Sequence, residues 1–261
     1  GSEEGGRDIN IAAASEFKRV TLELGGKSAN IVFEDANIEE ALDGVISGIF
    51  AASGQTCIAG SRLLLHEKIY DDFLKRLVEK SKSAKTGDPM SDQTQIGPIA
   101  NEAQFKKILE YINIAKQEGA KCILDGTDHE KDGLFVLPTI FTEVNNSMRI
   151  AQEEVFGPVL SVIKIKDEEE AVNLANDVDY GLAAGVWTES LDRAIRVSEK
   201  LEAGTVWVNT YRSTSYTSPF GGYKLSGLGR ENGQESIKEY LQVKSVWLHT
   251  GGNTKNPFIR R

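Results

Sequence analysis

Short apolar runs alternate with amphipathic stretches through most of this chain, and no other feature restricts its fold as strongly. ANIVF at 29–33 precedes a stretch at 38–52 whose Ile38, Leu42, Val45, Ile49 and Phe50 recur near helical spacing. LLL at 63–65 precedes a predicted helix over 70–84, and a helix over 102–118, ended by Gly119, leads into KCIL. VLSVIKI, a helix over 167–176, AAGVW, a helix over 191–201 and GTVWVN repeat the unit. Strands separated by helices long enough to cross over predict an α/β domain with a mostly parallel sheet flanked by helices.

The ends depart from this rhythm. Ser2 followed by Glu3 and Glu4 reads as a helix start running to about residue 14, and RVTLEL at 19–24 alternates like a strand until Gly25-Gly26 breaks it. Residues 211–233 form a Gly-, Ser- and Tyr-rich loop too long for a passive connector. LQVKSVWL at 241–248 reads as a strand with no partner nearby, so an edge pairing between subunits is expected. The first residue is Gly1, not Met, which suggests a piece of a longer polypeptide.

Composition removes several function classes. Thirty basic residues against thirty-nine acidic ones give a net charge of -9, with no basic cluster to hold nucleic acid. No apolar run approaches the roughly 18 residues of a membrane span. Two cysteines are too few for a disulfide framework and favour a reducing, cytoplasmic setting.

Cys57 lies in a glycine-flanked turn, GQTCIAG, where backbone amides could meet a developing oxyanion. A small buried core residue is the plainer alternative, and it is the reading given to Cys122 inside KCIL. Glu23 breaks the apolar pattern just before Gly25-Gly26, placing a carboxylate at a strand's carboxyl edge, where α/β sheets hold ligands. It reads as a general base or, more plainly, as a salt-bridged strand end. GGKS lacks the first glycine of a phosphate loop, and His66, His129 and His249 show no metal-ligand spacing, so no metal site is expected.

VTLELGGKS, GQTCIAGSR, EEVFGPV, GTVWVN and SPFGGYKLSGLGRE, in this order and spacing, resemble the aldehyde dehydrogenase superfamily, specifically its C-terminal catalytic half, from residue 1 to about 248. The resemblance implies Cys57 as nucleophile and Glu23 as the base that activates the hydrolytic water. It implies NAD, or alternatively NADP, as cofactor. Leu24 and Gly25 would then lie near the nicotinamide, Glu154 and Phe156 would hold its ribose, and Gly1-Ser2, with Gly5 or Gly6, would start a helix against the pyrophosphate. Glu3 stands where the family has threonine. Thr56, Ile58, Tyr211, Arg212 and Phe220, with Tyr216, would line the aldehyde tunnel. The implied organisation is a cofactor-domain remnant at 1–24, a catalytic domain at 25–232 and a returning helix, strand and tail at 233–261. The implied partners are a small aldehyde and other copies of the chain, in a dimer or tetramer. An inert fragment with a role only in oligomerisation, or a cysteine hydrolase or acyltransferase, are the rival readings.

Overall fold

All four residues of the ANIV strand are buried, which demands cover on both faces of its sheet. The computed structural model describes residues 1–127, 129, 132–252 and 258. Along the chain it places α1 (Glu3–Ser15), β1 (Leu22–Glu23), β2 (Ala29–Val32), α2 (Ile38–Phe50), β3 (Arg62–His66), α3 (Tyr70–Lys82) and α4 (Glu102–Gln117). Next come β4 (Lys121–Leu124), β5 (Thr139–Thr142), α5 (Arg149–Gln152), β6 (Val159–Ile165), α6 (Glu168–Asn176) and β7 (Tyr180–Gly181). The last are β8 (Ala183–Trp187), α7 (Leu191–Lys200), β9 (Thr205–Val208), β10 (Tyr223–Lys224), β11 (Gly227–Leu228) and α8 (Glu235–Glu239).

Seven strands form one sheet in the order β4-β5-β6-β3-β2-β8-β9, parallel everywhere except at the β4–β5 edge. The chain runs from β2 to its neighbour β3, crosses to the far edge at β4, comes back inward through β5 and β6, and then passes to β8 and β9 on the other side of β2. Alternate side chains feed two separate cores, as strand geometry requires. Ile31 and Leu64 pack with Ile108 and Ile112 of α4 and Val197 of α7. Val32, Leu63 and Leu65 pack with Leu42, Val45 and Ile49 of α2 and Phe73 and Leu77 of α3. Asn37, Asn101, Asp167 and Ser190 cap their helices through side-chain oxygens, so the starts of α2, α4, α6 and α7 are fixed locally.

Two expectations are corrected. Of the run 19–24, only Leu22–Glu23 forms a strand, and it pairs antiparallel with β11 outside the seven-stranded sheet. Residues 241–248 form no strand: Val243, Val246, Trp247 and Leu248 are exposed and no ladder partner lies among the described residues. A lone strand cannot satisfy its own backbone, so the period-2 pattern by itself does not make one. Most of the remaining tail, 253–257 and 259–261, lies outside the described residues. Among those described, no helix is long and apolar enough to cross a membrane.

Candidate active site

The segments preceding the parallel strands converge on one cavity of about 1160 Å³. Glu23, Leu24 and Gly25 precede β2, Thr56, Cys57 and Ile58 precede β3, and Glu154 and Phe156 precede β6. The site therefore lies at the amino edge of the sheet. This corrects the carboxyl-edge reading of Glu23, whose own strand is not part of that sheet. The carboxyl edge is closed instead by ion pairs. Arg193 of α7 holds Glu34, Asp35 and Glu168 at 3.1, 2.7 and 3.1 Å, while Thr188 donates to Asp35 and His66 faces Glu34.

Cys57 is half-buried in the turn between the kinked segment 51–54 and β3. Ala52, Ser53 and Gly54 all have positive φ there, a local strain typical of functional turns. Burial, then the charges of Glu154 and Glu23, push the Cys57 thiol up, while the backbone amides of Ile58 and Cys57 pull the other way. Glu23 is pushed up to about 7, first by burial, then by Glu231, against the opposing charge of Arg230. Its Oε2 is buried without a hydrogen-bond partner. A carboxylate left this way shares its proton readily near neutrality.

Gly25 and Gly26 let three parts of the site approach one another. The Gly26 amide donates to Glu154 Oε1 at 2.9 Å, and a Cβ on Gly26 would stand 2.4 Å from the Cys57 carbonyl. A Cβ on Gly25 would stand 2.7 Å from Glu154 Oε2. Beneath them Lys27 is fully buried, and burial followed by the Arg62 charge pushes its amine down to about 7. Arg62 is itself buried, with donors spent on the carbonyls of Lys27, Leu174 and Ala175 and on Asn146.

α1 brings its positive N-terminal end to the wall of the cavity, where Gly1 and Ser2 lie, and the Ser2 hydroxyl caps the Gly5 amide at 3.2 Å. Glu3 turns to Arg7 at 2.6 Å, which neutralises the carboxylate that replaces the threonine expected there. Phe220 lines the cavity too. Tyr211 and Arg212 do not. Tyr211 is buried against Trp207, ring centroids 4.7 Å apart, and donates to the Ile58 carbonyl at 3.1 Å; Tyr216 is exposed.

Sequence reading missed Gln55, Gln104, Lys107, Trp207 and Asn232 on the same wall. Gln104 donates to the Val155 and Phe156 carbonyls at 2.8 and 3.0 Å, tying α4 to the Glu154 segment. Nothing local distinguishes it from any polar residue on a helix face. Trp207 carried a weak signal, being an aromatic in a strand that ends at the long loop.

A parallel α/β domain here brings a thiol and a neutral-range carboxylate into one cavity. The profile of the aldehyde dehydrogenase family matches residues 1–246, and the chain belongs to that family. Over 247 residues it is 50% identical to a human mitochondrial aldehyde dehydrogenase, covering 94% of this chain and 48% of that protein. An aldehyde dehydrogenase of Emericella nidulans is 50% identical over 243 residues, 93% of this chain and 49% of the relative. Among solved structures, the NAD+ complex of an aldehyde dehydrogenase from Bacillus cereus superposes with a TM-score of 0.94 at 44% identity, covering 96% of this chain and 51% of that one. A betaine aldehyde dehydrogenase from Staphylococcus aureus in complex with NAD+ gives 0.96 at 41% identity, with 99% and 52% covered. The chain thus spans about half the length of the relatives it matches.

Proposed function

We propose that this chain is the catalytic portion of an enzyme that oxidises an aldehyde to a carboxylic acid with NAD(P). The observation that carries the reading is the pairing of Cys57 with Glu23 in one cavity, the carboxylate tuned to about 7 and holding one unpartnered oxygen. Cys57 Sγ gives its proton to solvent and attacks the aldehyde carbon, whose C=O π pair moves onto oxygen, and the amides at Ile58 and Cys57 face the charge that develops. Ser2, Gly25 and Glu154 would hold NAD(P) beside Cys57, where it would supply the hydride acceptor for the thiohemiacetal carbon, which becomes the acyl thioester of Cys57. Glu23 then takes a proton from water, the water oxygen bonds to the acyl carbon, and the C–S bond breaks to give acid and thiol.

The residues fit a dinucleotide on two counts. Glycine backbone at Gly25 leaves the Glu154 carboxylate open to ribose hydroxyls, and the N-terminal end of α1 at Ser2 supplies a dipole suited to phosphate. The occurrence of NAD+ in the similar solved structures supports the same assignment. A cysteine hydrolase finds less support, because no histidine lines the cavity among the described residues and His66 sits at the opposite sheet edge. The exposed apolar run ending in Val246, Trp247 and Leu248 is assigned to contact with another copy of the chain.

In the full-length enzyme, Cys57→Ala lowers kcat by on the order of a thousandfold or more, since no second cysteine lines the cavity among the described residues. Glu23→Gln keeps the first burst of NADH while slowing turnover; loss of the burst would remove Glu23 from the deacylation step. For the 261-residue chain by itself we expect no sustained NADH formation at saturating NAD with short or aromatic aldehydes. The chain spans about half the length of the relatives it matches, and hydride transfer needs the whole dinucleotide aligned. Turnover near one per second, an ordinary enzyme rate, would refute this.

A further inference from the structure

Arg212 is unlike the other described arginines. Its Nη1 stands 3.5 Å from both the Ala51 carbonyl and the Thr56 hydroxyl, and its Nε and Nη2 have no protein acceptor among the described residues. Every other described arginine, from buried Arg62 to Arg7 on the surface, holds a carboxylate or carbonyl oxygen at 2.8 Å or closer. Arg212 is also half-buried, and no carboxylate pairs with it among the described residues.

Its backbone adds a second cost. Arg212 has φ 66, a left-handed conformation that bulky residues avoid, and it faces the 51–54 segment whose Ala52 and Ser53 share that strain. Two unfavourable features therefore meet in one side chain directed at Thr56, the residue before the nucleophile. An anion against Thr56 would relieve the first of them. Thr56 and Ser213, the neighbours of Arg212 in space and in sequence, both line the cavity, and Thr214, Ser215 and Ser218 extend the same hydroxyl wall. Glu23 and Glu154 both lie close enough to act on the Cys57 thiol, so the anionic end of a substrate is better placed on the Thr56 and Ser213 side than beside either carboxyl group.

We propose that Arg212 is a specificity-determining residue that selects aldehydes bearing a carboxylate, holding the acid end through its charge and the Thr56 and Ser213 hydroxyls while the carbonyl reaches Cys57. The proposal rests on the aldehyde-oxidising reading above. Arg212 does not itself line the cavity, whereas Thr56 and Ser213 do, so the hydroxyls make the direct contacts and the guanidinium behind Thr56 provides the charge.

Iodoacetate and iodoacetamide test the charge preference without cofactor or turnover, since they alkylate the same thiol and differ in charge. The two rates at Cys57 are followed by mass spectrometry of its peptide, with Cys122 in denaturant as the intrinsic reference. In the native chain the iodoacetate-to-iodoacetamide ratio at Cys57 should exceed the reference, drop roughly fivefold in Arg212→Gln, and largely survive in Arg212→Lys. A purely structural arginine would not move that ratio, and an unchanged ratio in Arg212→Gln overturns the proposal. In the full-length enzyme, kcat/KM for 4-oxobutanoate relative to butanal should fall about tenfold or more in Arg212→Gln. A constant aldehyde ratio beside a changed alkylation ratio would leave an anion site but reject the substrate assignment. Absence of NADH from either aldehyde would reject the oxidation reading itself, whatever the alkylation ratio shows.

Discussion

The Gly26 amide donates to Glu154 Oε1 at 2.9 Å, from backbone packed so tightly on Cys57 that a Cβ would stand 2.4 Å from its carbonyl. The Glu154 carboxylate and the turn carrying Cys57 thus meet at one residue of chain, Gly26. Neither can shift without the other.

Gly26→Ala is expected to separate them. Overpacking against backbone that cannot swing aside costs about 1–3 kcal/mol. The damage should go beyond stability, because the Cys57 turn has to move. Thermal melting should show the loss, and iodoacetamide labelling of Cys57 should change rate at temperatures where the variant is still folded. A variant melting with the parent and labelling at the parent rate would mean the contact is relieved without consequence.

Glu23 predicts a pH dependence with a definite sign. Its folded pKa of about 7 lies above the ordinary 4.5, so the fold favours the protonated acid. Its contribution to stability is complete below pH 4.5 and is lost as pH rises through about 7. Melting temperatures of parent and Glu23→Gln, compared between pH 5 and 8, should diverge in favour of the variant as pH rises. Deacylation, which needs the ionised form, should climb over the same interval. A constant difference in melting temperature across that range would show that the carboxyl is not perturbed.

Tyr211→Phe probes the support behind Cys57. Removing the hydroxyl leaves the Ile58 carbonyl without its donor at 3.1 Å, one residue beyond Cys57. A loss of about 1–3 kcal/mol in denaturant unfolding is expected, the usual cost of an unsatisfied buried group. A value near zero would mean that another donor takes over.

Much of the fold was legible because α2, α4 and α7 carry strong helical periodicity and local caps, while β3 and β6 are apolar runs of strand length. Cys57 and Glu23 stood out for a similar reason: each breaks its local pattern beside glycines. The role of Tyr211 was not legible. Whether an aromatic beside a loop lines a cavity or props its wall depends on Trp207 and Ile58, which only tertiary packing brings to it. The sheet edge carrying the site was equally hidden. Strand content predicts a parallel sheet, but Glu23 belongs to a two-residue ladder with β11, a pairing across some two hundred residues of chain that no local pattern encodes.

Arg193 binds the ends of β2 and β8 through Glu34, Asp35 and Thr188, fastening the margin of the sheet remote from Cys57. The chain leaves that braced margin at Asn209, which exchanges hydrogen bonds with Thr188, and its segment from Ser213 to Ser218 contributes Ser213, Thr214, Ser215 and Ser218 to the cavity wall. Such an arrangement lets that stretch diverge by exchange of whole side-chain sets with little penalty to the scaffold. For an engineer it is a replaceable cassette: transplanting another family member's residues here should re-aim substrate choice while the helices, strands and cysteine turn stay in register.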